Sequence, residues 1–70
     1  MENDFKITLK AARVNKGLTQ KQMAIKMGKS EGTIINWENG RTNMRAKDFE
    51  KWCSILNLNK NDVFLPKKSS

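Results

Sequence analysis

Few side chains in these 70 residues are suited to covalent chemistry. Cys53 is the single cysteine, and histidine is absent. One thiol makes no internal disulfide, and without His or further Cys it assembles no zinc site. As a nucleophile it lacks the imidazole that would activate it. Cys53 therefore reads as a small buried hydrophobe. There is no glycine-rich phosphate loop and too little chain to enclose a pocket, so no enzyme, cofactor or small-molecule ligand is expected.

What the chain does carry is cations. Fourteen Lys and Arg oppose seven Asp and Glu, a net charge of +7. Between Phe5 and Ser30 stand seven basic residues and no acidic one. A surface of this kind draws polyanions, nucleic acid above all, although a merely solvated face has the same composition. Lys10, Lys21 and Lys29 add to the long-range attraction.

The elements that must position these groups follow from helix punctuation. Seventy residues allow one domain with a thin core. Apolar residues, 37% of the chain, come in short groups, with no run near the ~18 that spans a bilayer. Met1 to Lys10 lacks the apolar stretch of a signal peptide, so a cytoplasmic protein with no membrane partner is expected. Thr8 can cap a helix over Leu9 to Lys16, which Gly17 ends. Thr19 caps a second over Gln20 to Met27, with Gln22 at the reciprocal capping-box position and Leu18 and Met23 as a staple. Gly28 closes it. After Lys29 alone, Ser30 caps a third helix over Glu31 to Glu38, which stops at Asn39-Gly40. Arg41 to Arg45 is polar and loop-like.

A fourth helix over Ala46 to Leu56 sets Phe49, Trp52, Cys53 and Leu56 on one face. Asn57 ends it, Asn59 and Asp62 start a last short turn carrying Val63 and Phe64, and Pro66 forbids much continuation. The aromatic residues fit a core better than base-stacking platforms. No segment alternates as a half-exposed strand would. The architecture is all-α, a compact bundle of about five short helices. Residues 1–7 read as an N-terminal arm, 8–65 as the folded domain, and 66–70 as a basic tail without fixed structure.

The filling of the second and third helices is the specific signal. Apolar residues fall at Met23, Met27, Ile34 and Trp37. Ala24 lets the two helices cross closely, and Gly28 permits the sharp reversal between them. A helix pinned this way leaves its opposite face protruding, able to enter a major groove about 12 Å wide. On a helical wheel Ile34, Trp37 and Glu38 turn inward, while Glu31, Gly32, Ile35 and Asn36 turn out.

Leu18-Thr19-Gln20, Met23-Ala24, Met27-Gly28, Ser30, Thr33-Ile34 and Trp37-Glu38-Asn39-Gly40 resemble the Cro/CI-type (XRE) helix-turn-helix family of phage repressors and bacterial regulators. The likeness continues into Leu56-Asn57-Leu58 and Asp62-Val63-Phe64 and covers about residues 8–65. Ile7 to Arg13 and Phe64-Leu65-Pro66 look like small phage-type regulators of Gram-positive bacteria. The resemblance implies a lambda-repressor-like domain whose helices 2 and 3 form the helix-turn-helix.

The same resemblance implies roles. Glu31, Gly32, Thr33, Ile35 and Asn36 would meet bases: Asn36 pairing with adenine, Glu31 accepting from cytosine N4, Thr33 and Ile35 meeting a thymine methyl. Thr33 can serve a phosphate instead, and Ile35 can equally pack at the bundle margin. Gln20, Lys29, Ser30, Asn39, Arg41, Asn43 and Arg45 would hold phosphates, with the backbone amides of Asn39 and Gly40 as further donors. Arg13 and Glu38 would form a partly buried ion pair linking two helices. Glu31 and Gly32 depart from the Gln or Ser common there. Glu31 brings negative charge toward DNA, though an acid also suits a first helical turn. Gly32 carries no side chain to read anything and weakens its helix by up to ~1 kcal/mol relative to Ala; it can permit close backbone approach to DNA, or leave the helix partly loose until bound.

The expectation is a sequence-specific regulator of transcription, a repressor before an activator, inserting 31–38 into duplex DNA. It would bind a two-fold related operator as a homodimer, with half-sites roughly 34 Å apart. Leu58, Val63, Phe64 and Leu65 are the candidate dimer surface, with core the equal alternative. The cell would be bacterial or phage-infected, the protein nucleoid-associated. A protein-interaction module on the same fold, antitoxin- or antirepressor-like, is the second reading, supported by Glu31 and Gly32.

Overall fold

A computed structural model describes residues 6–65; the arm before Lys6 and the tail 66–70 lie outside the described residues. Four α-helices follow one another: α1 (Leu9–Asn15), α2 (Gln20–Met27), α3 (Glu31–Glu38) and α4 (Ala46–Ile55). The expected fifth helix is a single 3-10 turn, Lys60–Asp62. Helices α1 and α4 each stop one residue early, with Lys16 and Leu56 as caps.

Local chemistry accounts for the boundaries. Thr8, Thr19 and Ser30 each accept a hydrogen bond from the backbone N–H three residues on, satisfying a donor the helix leaves unpaired. At Thr19 the capping box is complete, because the Gln22 side chain also accepts from the Thr19 amide at 2.8 Å. Each of the four α-helices ends in the same pair of reversed bonds. Leu18 reaches back to Arg13, Lys29 to Ala24, Arg41 to Asn36 and Leu58 to Cys53, and the preceding amide binds a carbonyl three residues back in each case. That geometry needs a left-handed residue. Gly17, Gly28 and Gly40 supply it at φ +74°, +70° and +72°, and Asn57 supplies it after α4 at +57°.

The core collects the inner faces of all four α-helices. Leu9 and Ala12 of α1, Met23, Ala24 and Met27 of α2, Ile34 and Trp37 of α3, and Phe49, Trp52 and Cys53 of α4 are buried, with Met44, Leu56 and Val63. Trp37 and Trp52 meet edge to face, their centroids 6.3 Å apart. The Trp52 indole N–H finds no partner among the described residues. Ala24, with only a methyl to bury, lets α2 lie closely against α3, its most extensive helix neighbour among the described residues. Lys51 of α4 donates to the Met27 carbonyl at 3.3 Å, holding α4 to the end of α2.

The two ends of the fold meet. The Ile7 amide donates to Asp62 at 3.0 Å and the Phe64 amide to Ile7 at 2.8 Å, a lone parallel bridge between Ile7 and Val63. Ile7, counted with the arm from the sequence, is half-buried against the core. Val63 is 1% exposed and so serves the core and not a dimer surface. The bridge that buries it pairs residues far apart in sequence. Phe64 is exposed, while Leu58 and Leu65 are half-buried. Among the described residues no helix is long and apolar enough to cross a membrane.

Candidate nucleic-acid interface

Helix α3 sits on the surface with its first turn most open. Glu31 and Gly32 are exposed, Thr33, Ile35 and Asn36 half-buried, and Ile34 and Trp37 buried. The outward face is thus narrower than a helical wheel implies. Eight residues give α3 a length of about 12 Å.

Its direction is set by a buried charge cluster. Arg13 Nε donates to Glu38 Oε2 at 2.7 Å and Nη2 to Oε1 at 3.1 Å, a bidentate fork between α1 and the end of α3. The third arm, Nη1, donates to the Leu18 carbonyl at 2.6 Å, just ahead of α2. Both side chains are almost fully enclosed, at 7% and 2% exposure, so the charges neutralise each other in place of water. Gln20, first residue of α2, donates its amide to Glu38 Oε1 at 3.0 Å and completes the cluster. Its amide, expected on a phosphate, therefore already has an internal partner and keeps one N–H to offer outward.

Several expected anion-binding groups are likewise engaged. The Ser30 hydroxyl accepts from the Thr33 amide at 3.2 Å and shares a bond with the Thr33 hydroxyl at 3.0 Å. Lys29 lies 3.9 Å from Asp48. The backbone amides of Asn39 and Gly40 also have internal partners: they donate to Ile35 at 3.0 Å and Trp37 at 3.2 Å, and the Arg41 amide binds Asn36 at 2.9 Å. A helix C-terminus satisfies its own carbonyls first, and those bonds remove the donors from any phosphate. Asn39, Arg41, Asn43 and Arg45 are exposed residues. Among the described residues no ion pair involves Arg41 or Arg45, and α4 starts without a side-chain cap from Arg45.

Most of the described acidic groups have a basic partner within the chain, one pair buried and two at the surface. Among the described residues Glu38, Asp48 and Glu50 pair with Arg13, Lys29 and Lys60, leaving Glu31 and Asp62 outside ion pairs. Glu31 alone of these stands on α3, in its first turn, where the helix dipole favours it. Sequence reasoning missed Asp48 as the partner of Lys29 and Lys51 as the link to Met27. Neither pairing has a local signal, because both depend on where α4 comes to rest. A groove lined by Thr8, Leu9, Asn39, Gly40, Phe64 and Leu65 runs beside the end of α3.

Comparison with curated proteins finds no match. A family model described as a helix-turn-helix domain matches residues 7–67. That span takes in the capped α2, the Gly28 turn and the exposed α3. The chain belongs to the helix-turn-helix family of DNA-binding regulators.

Proposed function

We propose that the protein is a sequence-specific regulator of transcription, phage-repressor-like and more a repressor than an activator, that lays α3 along the major groove. The observation that carries this is the combination of an exposed first turn of α3 with Arg41 and Arg45 beyond its end, outside any described ion pair. Phosphate contacts supply most of the affinity, from Arg41, Arg45, Asn43, the Asn39 side chain, Lys29 and the remaining N–H and O–H of Gln20 and Ser30. Glu31, Thr33, Ile35 and Asn36 meet base edges, with Asn36 set to pair with adenine.

The protein acts in the cytoplasm of a bacterial or phage-infected cell, at the nucleoid, and has no catalytic activity. A single domain of this size seldom holds an operator tightly alone, so two copies bind a two-fold related site. Exposed Phe64, beside half-buried Leu65, belongs to the surface between them.

Fluorescence anisotropy of a labelled random duplex, titrated at two salt concentrations, tests the reading. Affinity should fall as salt rises, by roughly one power of salt per phosphate contacted. A flat response would favour the module that binds a protein partner, to which Glu31 on the open turn lends support. Selection from a random oligonucleotide pool then yields the operator and shows whether it has two-fold symmetry.

A further inference from the structure

Gly32 is the one glycine the fold does not explain. Gly17, Gly28 and Gly40 each hold a left-handed backbone after a helix. Gly32 is the second residue of α3 and has no such angle, and a Cβ built on it would meet only the Ser30 hydroxyl at 3.9 Å, ordinary contact distance. Glycine inside a helix weakens it relative to alanine, because its backbone has more freedom to lose. The molecule thus carries a destabilising residue at an exposed position where any small side chain would fit.

We infer that Gly32 is the point of closest approach between the α3 backbone and the base edges of its duplex, and that it sets specificity by letting the helix seat deeply. This rests on the DNA-binding reading above. A methyl at this position would hold the helix off by about 1.5 Å, one carbon–carbon bond. Hydrogen bonds fail over such a shift, since they weaken beyond about 3.2 Å. The neighbouring Glu31 gives the depth its consequence. Exposed and acidic, it is repelled by phosphates at the groove rim, and becomes favourable only when seated far enough in to accept from a cytosine amino group. Gly32 and Glu31 therefore act together, one allowing the depth and the other selecting the base found there.

The test is Gly32→Ala, measured against the duplex that the unaltered protein selects from a random pool and against an unselected duplex. The variant should melt roughly 2–8 °C higher. Its affinity for the selected duplex should fall about tenfold or more, with affinity for the unselected one within about twofold. An unchanged or improved affinity for the selected duplex would overturn the inference, as would an equal loss on both. A melting temperature that fails to rise would also overturn it, by showing that the fold itself needs the glycine. If the unaltered protein shows no salt-dependent binding to any duplex, the DNA-binding reading fails first, before the variant is compared.

Discussion

Arg13 places three N–H donors inside the molecule, two on Glu38 and one on the Leu18 carbonyl. Removing either charge leaves the other buried and unpaired. Arg13→Ala and Glu38→Ala should each cost about 3–5 kcal/mol in urea unfolding. A loss under about 1 kcal/mol would mean that water reaches the survivor. Arg13→Lys should not restore stability, because an ammonium cannot make the planar fork. Gln20 shares Glu38, so Gln20→Ala should lower stability by about 1 kcal/mol and weaken binding to all sequences alike. Asn36→Ala should relax base preference instead, as read by repeating the oligonucleotide selection. If both variants behave alike in stability and in preference, these roles are wrong. The resemblance pointed to the Arg13–Glu38 pair, but nothing local announced the amide of Gln20. A first-turn glutamine reads as outward-facing until the end of α3 is known to arrive beside it.

Each α-helix is delimited by a hydroxyl that caps its start or by a left-handed residue that closes its end, and both signals are local. This is why Thr19 and Ser30 mark the bounds of α2 and α3 to the residue. The same locality explains what was illegible. Asn39 and Gly40 looked like phosphate donors, whereas the amides they offer are taken by the closure that glycine makes possible. Val63 gave no local sign of burial, since its pairing partner is Ile7 at the other end of the fold. Closure also fixes the sign of glycine substitutions. Gly28→Ala should destabilise by about 1–2 kcal/mol in chemical denaturation, because alanine must adopt the left-handed backbone. A neutral result would show that the turn between α2 and α3 relaxes without penalty.

The molecule as a whole is a cation whose described acids mostly face its own bases. Arg41→Ala and Arg45→Ala should each reduce the salt slope of duplex binding by about 1, with base preference kept. A slope unchanged in both would place those arginines away from the backbone of the DNA. The interior answers to a different probe. Burial pushes the Cys53 thiol above its ordinary value of 9.0, against a lowering pull from Lys60. The folded state therefore favours the neutral thiol. Its contribution to stability is whole below pH 9.0 and is lost as pH rises through the higher folded value. Alkylation by iodoacetamide at pH 8 should run at least about tenfold slower in the native protein than in guanidinium. Comparable rates would mean that α4 opens readily.

The bridge between Ile7 and Val63 makes the described chain almost a ring. Both ends leave from one spot, beside the groove that borders α3. Cargo fused ahead of Lys6 or behind Leu65 would thus hang from the same corner and shadow the same flank. The two fusions should impede DNA to a similar degree, so moving a reporter from one terminus to the other brings no relief.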